Sequence, residues 1–156
     1  DYVLIDCPAG IEQGFKNAIA GADEAVIVTT PEVSAVRDAD RIIGLLSSND
    51  LPDPKLIINR LRIDMVKRGD MMNIEDTIDI LGIDLLGVVP DDERIVVSTN
   101  RGEPVVIEEN TMAGKAFRNI AKRLQGQNVP IMDMEETGTF IEKLRRLFGK
   151  NRKKTY

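Results

Sequence analysis

The chain alternates between two hydrophobic rhythms. Short runs that are apolar at nearly every position, in Tyr2-Val3-Leu4-Ile5, EAVIVTT, KLIINR and DLLGVVP, suit strands covered on both faces. Between them lie segments whose apolar residues recur at helical spacing. GFKNAIAGA predicts a short helix, and EVSAVRDADRIIGLLSSN a long one with Val33, Val36, Ile42, Ile43, Leu45 and Leu46 toward the core. IEDTIDILG and DDERIVVSTN predict two more, and Met112 to Leu124 a last domain helix. Strands alternating with helices in this way predict an α/β fold, a parallel sheet flanked by helices and joined by right-handed crossovers. The first run, which ends in Asp6 before the loop formers Pro8 and Gly10, is expected in the middle of that sheet.

In such sheets ligands bind beyond the C-terminal ends of the strands. Three expected ends carry polar residues: Asp6, Asn59-Arg60 and Pro90-Asp91-Asp92. A hydrophobic strand ending in Asp, with a small-residue loop behind it, is how nucleotide hydrolases hold Mg2+. The carboxylate reaches the ion through water and the loop amides lie near the γ-phosphate. Asp6 fits the metal role and Pro8-Ala9-Gly10 the loop role, making Asp6 and Gly10 the candidate catalytic positions. An Asp after a strand equally serves as a helix cap or turn former.

Composition narrows the chemistry. The 156 residues suffice for one domain and its core, and no apolar stretch approaches the roughly 20 residues that span a bilayer. A single Cys cannot close an internal disulfide, so a reducing cytoplasm is the simplest compartment. The absence of His argues against zinc hydrolysis and against Ser-His or Cys-His catalysis, leaving carboxylates, Lys, Arg and a borrowed ion. The net charge of −5 conceals an asymmetry. From Thr139 to Tyr156 seven Lys or Arg face Glu142 alone, a surplus of six, so the remaining residues carry −11.

The organisation expected from these patterns is an α/β domain over residues 1–125, a linker over 126–138 that mixes Gly, Pro and acidic residues, and a basic amphipathic segment over 139–156. On a 3.6-residue period Phe140, Ile141, Leu144, Leu147 and Phe148 gather on one face, flanked by Lys143, Arg145, Arg146 and Lys150. These residues predict a membrane-binding helix. A helix packed on the domain and a nucleic-acid contact are the alternatives, and the clustered apolar face with two Phe fits a lipid interface better. Five buried apolar side chains supply roughly 1.5–3 kcal/mol each at most, and each basic group near an anionic leaflet about 1 kcal/mol. Ordering some ten residues costs about 1–2 kcal/mol apiece. One copy therefore binds weakly and reversibly, whereas two copies on one dimer hold on.

DCPAGIEQG followed by ADEAVIVTTPEVSAVRDADRI, with INR, KRGDMM, GVVPDD, STNRGEPV and AGKAF in the same order, resembles the ParA/MinD family of deviant P-loop ATPases over essentially the whole chain. The resemblance implies ATP and Mg2+ as cofactors, with the metal on Asp6. It also implies base contacts from Asn59, Arg60, Pro90 and Asp91, although a turn after each strand explains these residues as well. It implies an ATP-bound homodimer, anionic membrane lipids as a partner, and no specific nucleic acid. Members that place the division site recruit the septation inhibitor MinC and respond to a topological factor such as MinE. On that pattern Ser34, Arg37, Asp38 and Asp40 become partner-binding candidates, where a solvated helical face is the plain alternative. The expected location is cytoplasmic, peripheral on the inner face of the cell membrane.

In the family the strand ending in the metal aspartate is preceded by a glycine-rich loop resembling K-G-G-x-G-K-T. No G-x-x-x-x-G-K-[S/T] occurs in this sequence, and MAGKAF has the Gly-Lys pair without the upstream glycine. The chain is accordingly expected to be the C-terminal half to two-thirds of a longer protein. The competing expectations are a flagellar-number or chromosome-partition ATPase of the same family, or a complete, non-catalytic, membrane-tethered adaptor.

Overall fold

Three of the fully apolar runs form a parallel sheet with helices on both faces, as their two-sided burial requires. The computed structural model describes residues 2–7, 13–132 and 134. In chain order the elements are α1 (Gln13–Ile19), β1 (Val26–Thr29), α2 (Val33–Ser47), β2 (Lys55–Leu61), α3 (Ile63–Arg68), α4 (Ile74–Leu81), β3 (Leu85–Pro90), α5 (Glu93–Asn100), a 3-10 turn (Val105–Ile107) and α6 (Met112–Leu124). The strand order is β1-β2-β3, with Val28 beside Ile57 and Ile58 beside Val88.

Each face has its own apolar cluster. One joins Phe15, Ile27, Val36, Leu46, Leu56, Ile58, Leu81 and Val88. The other joins Leu86, Val89, Val105, Ala113, Ala116 and Ile120. Leu56, Ile58 and Val89 are wholly buried. Helices α4, α5 and α6 begin where short polar side chains serve their free amides. Asn73 accepts from the Asp76 amide at 2.6 Å, Asp92 from the Arg94 amide at 2.9 Å, and Thr111 from the Gly114 amide at 3.1 Å.

The sheet contains two irregularities that matter below. Between Leu56-Ile57 on β2 and Leu85-Gly87 on β3 the register gives Leu86 no ladder partner. Further along, Ile58-Leu61 faces Val88-Pro90, so the extra residue lies on β2, where Arg60 has a left-handed φ of 56°.

The expected first strand does not form. Tyr2, Val3, Leu4 and Ile5 are 70, 87, 88 and 49% exposed and pair with none of the three described strands. A strand exists only through its neighbour's hydrogen bonds, and an apolar run records what it would bury rather than that a neighbour is there. β1 carries the same signature on one face, with Val26 and Val28 exposed while Ile27 and Thr29 are buried.

Gly114 illustrates how tightly α6 is seated. A Cβ there would stand 2.6 Å from the Val105 carbonyl oxygen, 2.9 Å from that of Glu108 and 2.5 Å from Thr111 Oγ1. Two of these are backbone atoms that cannot swing aside. Gly114→Ala would ordinarily favour a helix interior by about 1 kcal/mol, but here it is expected to destabilise the domain by about 2 kcal/mol through overpacking. Urea unfolding followed by circular dichroism measures the sign directly.

Candidate functional site

The C-terminal ends of β2 and β3 lie side by side, because Leu61 pairs with Pro90 and the Asp91 amide donates to the Leu61 carbonyl at 3.0 Å. This brings Asn59, Arg60, Pro90 and Asp91 into one group, as expected. The bulge at Arg60 shapes it. A left-handed backbone costs a non-glycine residue roughly 1–2 kcal/mol, and Asn59 offsets part of this by accepting the Arg60 amide on its Oδ1 at 3.0 Å. The Arg60 Nε donates to Asp91 Oδ1 at 3.5 Å across the strand ends, a long and largely solvated pair.

With Asn59 Oδ1 engaged, its Nδ2 is the group left to donate, since it has no partner among the described residues. Asn59 and Pro90 are half-buried, while Arg60 and Asp91 are exposed. The group therefore offers the Asn59 amide donor, the Asp91 carboxylate acceptor and the exposed Arg60 guanidinium beside the half-buried Pro90. That set matches a planar heterocycle with one acceptor and one donor on its edge.

Asp92 fastens the floor beside this group, a role that sequence reasoning passed over. Its Oδ1 accepts the Arg94 amide that begins α5 and its Oδ2 the Ala113 amide in the first turn of α6, at 2.9 and 3.2 Å. One carboxylate thus ties the β3 loop to two helix N-termini, a stabilising position for negative charge. The legible signal was an Asp directly before a helical run. Next to it opens a depression of about 480 Å3 bordered by Asp92, Arg94, Glu108, Glu109, Asn110, Thr111 and Met112. Arg94 donates to Glu108 Oε2 at 2.8 Å on its rim. Arg118 holds the wall in place by donating to the Glu108 and Glu109 carbonyls at 3.3 and 3.0 Å.

At the opposite end of the sheet Lys55 donates to Asp84 at 2.8 Å, and that hydrogen bond holds the Asp84 carboxyl below its ordinary range. The two ends of the sheet therefore differ in kind. The start carries a short charge pair across the strands, and the finish a longer one beside the unpartnered Asn59 Nδ2.

Asp6 is exposed and makes no hydrogen bond or ion pair among the described residues. Among the described residues α1 runs from Gln13 to Ile19. Among the described residues no three Cys, Asp or Glu gather closely enough to hold a metal unaided. Gly10 lies outside the described residues, as do the membrane candidates Phe140, Ile141, Lys143, Leu144, Arg145, Arg146, Leu147 and Phe148. No helix among the described residues is long and apolar enough to cross a membrane. Ser34, Arg37, Asp38 and Asp40 are all exposed on α2, opposite the buried Val36 and Ala39, and take no partner among the described residues.

Comparison with known proteins places this geometry. The family model described as ParA, NUBPL iron-transfer P-loop NTPase, matches residues 1–125. The septum site-determining protein MinD of Synechocystis is 55% identical over 148 residues, which are 94% of this chain and 56% of the relative. In the solved MinC:MinD cell division protein complex of Aquifex aeolicus, a matching chain has 49% identity and a TM-score of 0.82, covering 85% of this chain and 55% of that one. MinD of Pyrococcus horikoshii, solved as a complex with Mg-ADP, has 28% identity and a TM-score of 0.68 over 76% of this chain and 48% of that one. This chain spans about half the length of the relatives it matches. The matched residues, the parallel sheet and the polar strand ends agree that the chain belongs to the ParA/MinD family of P-loop NTPases.

Proposed function

We propose that this chain serves a membrane-associated Mg-ATPase that regulates where the division septum forms. The observation that carries the reading is the meeting of Asn59, Arg60, Pro90 and Asp91 at two adjoining strand ends. A relative solved with Mg-ADP supports nucleotide as the ligand, and one solved with MinC supports that partner. ATP with Mg2+ supplies the phosphoryl chemistry and its free energy. The residues of this chain bind the base, hold the ion and display the partner surface.

Each has a role that follows from its chemistry. Asn59 Nδ2 donates to the ring nitrogen on the edge of adenine, Asp91 accepts from the exocyclic amine, and Pro90 packs against the ring face. Asp6 holds Mg2+ through water, beside the Pro8-Ala9-Gly10 loop. Ser34, Arg37, Asp38 and Asp40 on α2 form a surface for MinC and for a topological factor such as MinE. ATP-driven pairing of two copies brings two basic amphipathic segments to the inner face of the cell membrane, where anionic lipids hold them. Hydrolysis returns the copies to the cytoplasm.

The base assignment is tested by calorimetric titration of the intact protein with ATP and GTP. Removing one neutral hydrogen bond costs about 0.5–1.5 kcal/mol, so Asn59→Ala is expected to weaken ATP binding roughly three- to tenfold. Asp91→Ala is expected to narrow the preference for ATP over GTP, because guanine presents an acceptor where adenine presents its amine. Unchanged affinity in the first and unchanged preference in the second would remove the strand ends from base recognition.

A further inference from the structure

Of the two irregularities in the sheet, the one beside Leu86 carries no left-handed residue and the one in β2 does. Asp50 and Asp53 are the other non-glycine residues with a left-handed φ among those described. Both lie in the loop between α2 and β2, and aspartate is a residue type that tolerates this conformation. Arg60 is not of that type, and its φ of 56° falls inside a strand. Glycine would take the same backbone without the steric cost. Strain of this kind persists where the surrounding structure enforces it, and it clusters at binding sites.

What glycine would lack is the guanidinium. Its Nε donates to Asp91 Oδ1 at 3.5 Å, while Nη1 and Nη2 have no partner among the described residues. Asp91 depends on Arg60 in the same way. Its amide is fixed to the Leu61 carbonyl at 3.0 Å, but its carboxylate takes no other hydrogen bond or ion pair among the described residues. The two side chains are 68 and 38% exposed, so the pair is solvated and adds little to the fold. Stability therefore gives no reason for arginine at this position.

We infer that Arg60 is a positioning residue that sets base selectivity through Asp91, holding the carboxylate in place at the strand ends while the carboxylate restrains the guanidinium. The inference rests on the base reading proposed above and gives Arg60 a role there without contact to adenine. Asp91 Oδ2, without a partner among the described residues, is left to accept from the exocyclic amine of adenine. Guanine carries an acceptor oxygen at that position, which a carboxylate repels and a released guanidinium binds together with N7. Pairing the two charges thus favours adenine twice, by fixing the acceptor and by restraining the donor.

Calorimetric titration of four intact proteins with Mg-ATP and Mg-GTP tests this: wild type, Arg60→Gly, Asp91→Ala and the double variant. Arg60→Gly suits the backbone and removes the guanidinium, so its urea midpoint is expected to be no lower than that of wild type. Its preference for ATP over GTP is expected to fall about two- to fivefold, the worth of one exposed pair. The lost positive charge weakens both nucleotides alike, so the ratio isolates selectivity. Asp91→Ala is expected to narrow the preference further, because the released guanidinium then favours GTP, and the double variant to recover part of that loss. A wild-type preference in Arg60→Gly overturns the positioning role, and with a lowered urea midpoint it marks Arg60 as structural. Effects on preference that simply multiply in the double variant overturn the mutual restraint. A wild-type protein that does not distinguish ATP from GTP overturns the base reading itself, and the inference with it.

Discussion

Leu144→Glu is expected to take vesicle binding of the intact protein below detection while leaving its affinity for ATP unchanged. Leu144 stands at the centre of the apolar pattern formed by Phe140, Ile141, Leu147 and Phe148. Losing one buried Leu costs about 1.5–3 kcal/mol, and a new carboxylate facing an anionic leaflet costs about 1 kcal/mol more. Each tail is thus weakened by roughly 3 kcal/mol, a factor of more than 100. On the proposed ATP-bound dimer two tails act together, so the penalty is incurred twice, and the marginal balance of a single tail leaves nothing to absorb it. Lys143→Glu is expected to weaken binding less and in a salt-dependent way, since it changes charge without removing apolar area. Co-sedimentation with vesicles at two ionic strengths separates these effects. A Leu144→Glu protein that still pellets would place the tail's apolar face somewhere other than lipid.

The strand β3 was legible because burial on both faces leaves an unbroken apolar run, and β1 and β2 from similar runs, although Val26 and Val28 of β1 are exposed. The helices α2 and α4 were legible from their period, and α6 as the last domain helix. Helix α3 was not, because Ile63–Arg68 is six residues long and ends at Gly69, too short for a period to declare itself. The run Tyr2–Ile5 misled for a related reason: its pattern states a need for neighbours, and those neighbours are not among the described strands. At the strand ends the sequence pointed to polar residues that lie side by side in the structure, but not to their geometry. Nothing in KLIINR says that Arg60 is the extra residue of a bulge, yet that bulge turns Asn59 into a ligand for its neighbour's amide and leaves Nδ2 free to donate. Gly114 was read only as part of a Gly-Lys pair lacking a phosphate loop; its work is to let α6 approach two backbone carbonyls. Both are facts of backbone approach, to which side-chain patterns are blind.

Asp6→Ala is expected to abolish Mg2+-dependent hydrolysis in the intact protein, with a fall in rate of roughly 100-fold or more, while binding of ATP in the absence of the ion changes little. Asp6 is exposed and makes no hydrogen bond or ion pair among the described residues. No neighbouring trio of carboxylates stands ready to replace it among the described residues. A metal that neutralises developing phosphoryl charge lowers the barrier by several kcal/mol, and preorganised charge stabilisation of this kind is worth about 100- to 1,000-fold per lost contact. Asp6→Asn separates charge from shape. It keeps the hydrogen-bonding outline to metal-bound water but removes the negative charge, and is expected to lose nearly as much activity while shifting the Mg2+ dependence upward. Initial rates across a Mg2+ titration read both quantities at once. If Asp6→Ala hydrolyses ATP at the wild-type rate with an unshifted Mg2+ midpoint, the carboxylate belongs to the turn before α1, and the ion is held by residues elsewhere.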